Sequence, residues 1–197
     1  MRLASVLTCS SAVLCFVALA SGTVWYVDAE NGDDNANEGT GWNDAFASIQ
    51  HALDVSVGPS GDTGFADEIR VAKGTYYECI EVKSGQRLYG GWDTTSGERD
   101  PAANVTVIDA SGVSSSWDFV ISIWREPGAV IDGFTIRNGA YGDNKHYGAI
   151  SVQQRASIIG NEIMDNSSSS TYPKGSAVRV STSPLAIGLA PVLWTVG

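Results

Sequence analysis

Short apolar runs recur along the chain after residue 21, and polar corners rich in Gly, Asn, Asp and Ser separate them. Runs this short, enriched in β-branched residues and bounded by turn-forming residues, are typical of β-strands rather than helices. The pattern predicts strands at residues 24–27, 68–72, 80–83, 105–108, 119–124, 129–131, 134–137, 149–152 and 177–180.

Several of these runs repeat when the sequence is aligned with itself. Residues 133–136 match 160–163 at an offset of 27, 149–152 match 177–180 at an offset of 28, and 107–109 match 130–132 at an offset of 23. Periods of roughly 20–50 residues indicate a repeat architecture. Since each repeat holds short strands and almost no helical pattern, the repeats predict a coil whose successive turns stack as parallel sheets. Chance identity of such short segments is the alternative.

One segment follows a helical rather than a strand pattern. Its apolar residues recur on one helical face and predict an amphipathic helix of about three turns, with Asn43 as N-cap; they are Trp42, Ala45, Phe46, Ile49, Ala52 and Leu53. An open solenoid end exposes core and unpaired strand edges. We therefore interpret this helix as the N-terminal cap of the first coil.

The N-terminus has the pattern of an export signal. Arg2 is followed by an uncharged stretch over residues 4–20, which ends in Ala18-Leu19-Ala20, a small-x-small cleavage pattern. We predict a cleaved signal peptide over 1–20 and a secreted or cell-surface mature chain. The alternative is an uncleaved membrane anchor, because the apolar stretch is almost long enough to span a bilayer. No later segment has the length and apolarity of a membrane span.

Charge and cysteine content narrow the function classes. The chain of 197 residues carries 12 basic and 22 acidic side chains, a formal net charge of −10. Such a chain repels nucleic acid and anionic membranes. After signal cleavage only Cys79 remains, so the mature chain has no internal disulfide. Cys79 is either a reactive nucleophile or, as we predict, a residue on a buried strand.

An ordered series of segments resembles the opening of bacterial secreted proteins with a right-handed parallel β-helix, of the pectin-lyase-like superfamily. The segments are YVD at 26–28, GDDN at 32–35, the stretch 42–53, DEIRVAKGTY at 67–76, LYGGW at 88–92, ERDP at 98–101 and VIDGFTIRNG at 130–139. The resemblance covers about residues 24–183. It implies that fold for residues 21–183, in what is usually part of a longer exported protein. Members include polysaccharide lyases, hydrolases and adhesin-like surface proteins, so the fold does not fix the function.

The C-terminal residues depart from the repeat pattern. Residues 184–197 (PLAIGLAPVLWTVG) carry no charge and no alternation. We interpret this tail as a truncated or frame-shifted end, and the alternative is a last strand that covers the solenoid.

Two acidic features are candidates for chemistry. Asp109 and Asp132 follow the same Val-Ile pair, and matching places in successive coils would bring their carboxylates together at the spacing of a retaining glycosidase. The alternative is hydrogen bonding at corners. The loop 28–38 (DAENGDDNANE) is rich in Ca²⁺-type oxygen ligands but lacks EF-hand spacing, so we interpret it as a solvated turn. His51 and His146 have no partner at metal-ligand spacing, and we predict no cofactor or metal.

Aromatic side chains in the insertions are the stronger binding candidates. Tyr141, His146, Tyr147 and Tyr172 lie between predicted strands, where rings can stack on sugars; alternatively they cover the outside of the coil. We thus expect a non-catalytic, exported β-helix module that binds a polysaccharide or cell-surface glycan. The alternative is the N-terminal fragment of a polysaccharide lyase or glycoside hydrolase.

Overall fold

The computed structural model describes residues 22–56, 66–83, 85–113, 119–124, 128–139, 148–153, 155–166 and 178–180. Within these residues the chain forms thirteen β-strands, one short α-helix and one 3₁₀ turn at Trp42–Asp44. In chain order the elements are β1 Val24–Val27, α1 Ile49–Val55, β2 Glu68–Ala72, β3 Gly74–Tyr76, β4 Ile80–Val82, β5 Arg87–Trp92, β6 Thr106–Asp109, β7 Phe119–Ile123, β8 Ala129–Asp132, β9 Phe134–Arg137, β10 Gly148–Val152, β11 Ala156–Ile159, β12 Glu162–Met164 and β13 Val178–Val180.

The strands form three sheets, and every pairing between them is parallel. Sheet A has the order β1-β2-β5-β8-β11, sheet B the order β3-β6-β9-β12 and sheet C the order β4-β7-β10-β13. From β2 onward, consecutive strands enter sheets A, B and C in turn. The predicted all-β, parallel-sheet class is therefore confirmed for the described residues.

The strand register confirms two of the three sequence offsets. Ile136 pairs with Ile163 and Ile150 with Val178, which reproduces the offsets of 27 and 28. The offset of 23 is wrong, because residues 107–109 lie in β6 of sheet B and residues 130–132 in β8 of sheet A. Both tripeptides place their central Ile inward, so the identity reflects the same local role in two different sheets.

The core lies between the three sheets. In sheet A, one row of residues is in register and fully buried: Ile69, Leu88 and Ile131. A second such row lies in sheet C: Ile80, Ile121 and Ile150. Burying a side chain of this size contributes about 1.5–3 kcal/mol. The predicted runs match nine of the strands to within about two residues at the ends, and they omit β3, β5, β11 and β12.

The predicted three-turn helix is wrong in its extent and its cap. Phe46 is extended and forms a parallel bridge with Val27, so residues 39–46 run along the outer edge of β1. The helix starts only at Ile49 and has Ser48, not Asn43, as its N-cap. Its inward residues Ile49, Ala52 and Leu53 are buried, as the spacing predicted.

Two half-buried carboxylates tie the start of α1 to neighbouring segments of the chain. Asp34 accepts hydrogen bonds from the backbone N–H groups of Ala47 and Ser48, and Glu78 accepts from those of Ile49 and Gln50 at 2.9 Å each. Burial raises the pKa of the Glu78 carboxyl group, although these two hydrogen bonds oppose the rise. The first backbone N–H groups of a helix have no acceptor within the helix. Here carboxylate oxygens accept their hydrogen bonds.

Two further predictions concern single features. Cys79 is half-buried and lies just before β4, so the prediction of a buried strand residue is wrong; the chain enters β4 only at Ile80. No helix in the described part of the chain is long and apolar enough to cross a membrane. The predicted signal peptide over 1–20 and the tail over 184–197 lie outside the described residues.

Candidate functional site

Asp109 ends β6 and is almost fully buried at a corner of the fold. Its Oδ2 accepts a hydrogen bond from Arg137 Nε at 2.8 Å, and its Oδ1 accepts from Asn138 Nδ2 at 2.9 Å and from the Ser111 backbone N–H at 2.8 Å. Burial raises the pKa of this carboxyl group, but the hydrogen bonds outweigh burial and hold the pKa well below its usual range. Asp109 is thus an ionised, fully engaged structural group.

Asp132 occupies a different environment at the end of β8. Its side chain is 22% exposed, and Oδ1 lies 3.1 Å from Arg99 Nη2. The same Arg99 nitrogen also donates to the backbone carbonyl of Asp132, and Arg99 Nε donates to the carbonyl of Gly90. Arg99 therefore links β5 and β8, two neighbouring strands of sheet A, at this corner.

The two aspartates do not form the predicted carboxylate pair. Asp109 is in register with Arg137 in sheet B, whereas Asp132 is in register with Tyr89 and Ile159 in sheet A. The prediction that they occupy matching places in successive coils is wrong, because it rested on the offset of 23. Each carboxylate instead forms an ion pair with an arginine.

The acidic loop 28–38 uses its carboxylates on the protein itself. Asp28 accepts from Glu30 N and Asn31 Nδ2, Asp33 accepts from Asn35 N and Ala36 N, and Asp34 accepts from the segment that precedes α1. Within the described ranges, no group of three or more His, Cys, Asp or Glu side chains is arranged to hold a metal ion. These contacts are those of a hydrogen-bonded turn.

The predicted sugar-stacking residues Tyr141, Tyr147 and Tyr172, together with His146, lie outside the described residues. The structure reveals a second group of aromatic residues on the outward side of sheet A, which we call the aromatic face. It consists of four rings and two guanidinium groups, all half-buried: Tyr26, Trp42, Arg70, Tyr89, Trp92 and Arg99.

Strand register assembles the aromatic face from distant parts of the sequence. Tyr26 on β1 is in register with Arg70 on β2, which is in register with Tyr89 on β5, which is in register with Asp132 on β8. Their neighbours Ile69 and Leu88 point into the core, so this row points outward. At about 4.8 Å per strand the row is about 14 Å long, the scale of a short oligosaccharide.

The rings and guanidinium groups of the aromatic face contact one another. The Trp42 ring meets the Tyr26 ring edge-on at 4.8 Å between centroids and lies 6.2 Å from the Trp92 ring. Arg70 Cζ lies 4.5 Å from the centroid of Trp92 and 5.7 Å from that of Tyr26. Such cation–π contacts hold the rings in place while leaving part of each exposed.

The Trp92 ring is fixed by packing. Its Nε1 is buried and has no hydrogen-bond partner among the described residues. The neighbours that pack against this ring include Arg70 and Trp42.

A sequence signal for part of this face exists. Tyr26, Arg70 and Tyr89 each follow an inward-pointing residue in a period-two alternation. The contact between them is hidden, however, because the register steps are 44 and 19 residues and resemble no common period.

Comparisons with known proteins found no family model that matches this chain and no curated protein that matches it significantly.

Proposed function

We propose that the chain is a right-handed parallel β-helix module, exported and without catalytic activity, that binds carbohydrate through the aromatic face. The observation that carries this proposal is a row of partly exposed rings on one outward sheet surface. Rings held in this way present flat apolar surfaces, and sugar rings present flat C–H surfaces that stack on them.

The strand order supports the β-helix part of the proposal. Four successive passages along the chain contribute one strand each to sheets A, B and C, which is the arrangement of a coil with three faces. Crossover connections between parallel strands of one sheet are right-handed in about 98% of cases. Residues 39–46 along β1 and α1 beside β4 then form the N-terminal cap.

The position of the aromatic face supports the binding part. The strands of sheet A follow one another at a repeating spacing, so a linear polymer can lie along its outward row. Arginine and carboxylate groups beside the rings supply donors and acceptors for hydroxyl groups. Aromatic residues of this kind dominate the binding free energy of interfaces.

The test is affinity electrophoresis of the purified chain in gels that contain soluble polysaccharides. We expect retardation by at least one polysaccharide, and a loss of affinity of about tenfold in Tyr89→Ala, the equivalent of about 1.4 kcal/mol. The matched control is Tyr77→Ala, which removes the same side chain from a site that is 66% exposed and lies outside sheet A. Trp42→Ala, in the 3₁₀ turn, should behave like Tyr89→Ala.

Two results would refute the proposed function. One is a native chain that no polysaccharide in the panel retards. The other is equal retardation of Tyr89→Ala, Tyr77→Ala and the native chain, which would move any binding away from the aromatic face. Far-ultraviolet circular dichroism of each variant confirms that its fold is retained.

A further inference from the structure

We infer that the aromatic face takes an uncharged glycan and excludes acidic ones; this inference rests on the carbohydrate binding proposed above. It concerns the charge of the polymer, which the rings alone do not determine. The ion pairs around the rings determine it.

The cations beside the rings already have carboxylate partners. Arg70 Nε lies 2.7 Å from Glu68 Oε1, and Arg99 Nη2 lies 3.1 Å from Asp132 Oδ1. Next to Trp92, Lys73 Nζ lies 2.5 Å from Asp93 Oδ2. Recognition of an acidic sugar uses charge-assisted hydrogen bonds from available cations, and here Arg70, Arg99 and Lys73 each have a resident carboxylate partner.

The Asp93 carboxylate is held in its ionised form. The hydrogen bond from Lys73, with those from the backbone N–H groups of Ser96 and Thr95, holds the pKa of Asp93 well below its usual range. An incoming uronate would have to displace such a group from its partner. The net charge of −10 adds a long-range repulsion of polyanions.

The same groups suit the hydroxyls of a neutral sugar. Among the described residues, the Arg70 side chain makes its hydrogen bond through Nε, to Glu68, and its terminal nitrogens are donors beside the Trp92 ring. The carboxylate oxygens of Glu68 and Asp132 accept hydrogen bonds from O–H groups. A hydroxyl both donates and accepts, so a neutral glycan satisfies both kinds of group without breaking an ion pair.

The experiment compares uncharged and acidic polymers in the same gels at low and high salt. The uncharged probes are hydroxyethyl cellulose, glucomannan and galactan, and the acidic probes are polygalacturonate and alginate. We expect an uncharged probe to retard the native chain equally at both salt concentrations, and the acidic probes not to retard it. Retardation by an acidic probe that Tyr89→Ala abolishes would overturn this inference and leave the proposed function standing. No retardation by any probe would overturn both.

A charge variant tests the ion-pair argument itself. Glu68→Gln leaves Arg70 without its carboxylate partner, so we expect the variant to gain affinity for polygalacturonate of about tenfold or more, and we expect high salt to remove the gain. The control is Glu162→Gln, an exposed residue of β12 in sheet B, which changes the net charge equally. Equal behaviour of the two variants would show that total charge, and not the pairing on the aromatic face, excludes acidic glycans.

Discussion

Neutralising the buried carboxylate of Asp109 should destabilise the fold by about 2 kcal/mol. An asparagine at this position keeps one acceptor oxygen for the Ser111 and Asn138 donors. Its amide nitrogen then faces Arg137 Nε, which also donates, so the hydrogen bond of 2.8 Å is lost. A hydrogen bond to a charged group contributes about 1.5–3 kcal/mol, and the lower part of that range applies because Arg137 is 36% exposed.

The stability difference between this variant and the native chain should depend on pH. The folded-state pKa of Asp109 lies below the ordinary value of 3.8, so the unfolded chain takes up the proton first as the pH falls. The stability contributed by the ionised group is therefore complete above about pH 4 and is lost as the pH falls through the folded-state pKa. Asparagine does not titrate, so the difference in the free energy of unfolding between Asp109→Asn and the native chain should become smaller below pH 4.

The chain provides a matched control for this variant. Asp132 follows the same Val-Ile pair, but it is 22% exposed and its backbone carbonyl keeps a hydrogen bond from Arg99 after substitution. Asp132→Asn should lose less than about 1 kcal/mol. Urea unfolding followed by tryptophan fluorescence at pH 7 and at pH 3 measures both variants. Equal losses in the two variants, or a loss in Asp109→Asn that is the same at both pH values, would refute the reasoning.

Three further stability predictions use the same urea assay. Gly39 has a φ of +72°, and a Cβ there would lie 2.2 Å from the Phe46 ring, so Gly39→Ala should lower the free energy of unfolding by about 3 kcal/mol. Gly97 has a similar φ of +70° but lies in open space, so Gly97→Ala should cost only about 1 kcal/mol. Equal costs would contradict this steric account. Gln86 is fully buried and makes hydrogen bonds at 2.6 and 2.7 Å to the C-terminal end of α1, so Gln86→Leu should cost about 3 kcal/mol. A cost below about 1 kcal/mol would show that these hydrogen bonds do not hold the end of the helix. Asn166 bridges two strands of sheet B with three hydrogen bonds, so Asn166→Ala should cost about 2 kcal/mol. Asn166→Asp should cost at least as much, because its second oxygen then faces the carbonyl oxygens of Ile136 and Met164; a smaller cost would contradict this account.

The fold class was predictable because the strands are short apolar runs, several of which alternate between buried and half-buried residues. Short runs such as 134–137 place every second residue in the core, and that local rule is independent of the loops between strands. The helix was less predictable, since Phe46 has the spacing of a helical residue but pairs with β1 as extended chain. Hydrophobic spacing alone does not distinguish a residue on a helix from one that bridges to a strand edge.

The candidate site was hidden by loops of unequal length. Where two turns are joined by loops of similar length, as for 133–136 and 160–163, self-alignment finds the strands that pair. In sheet A the step from β2 to β5 is 19 residues and the step from β5 to β8 is 43. No single period can align such strands, so the row Tyr26, Arg70 and Tyr89 becomes visible only in the folded chain. The row is built from the regular part of the fold, and its rigidity should therefore be that of the sheet and not that of the loops. A binding surface of this kind is expected to lose affinity through ring removal, as in Tyr89→Ala, and to tolerate changes in the length of the loops that separate its strands.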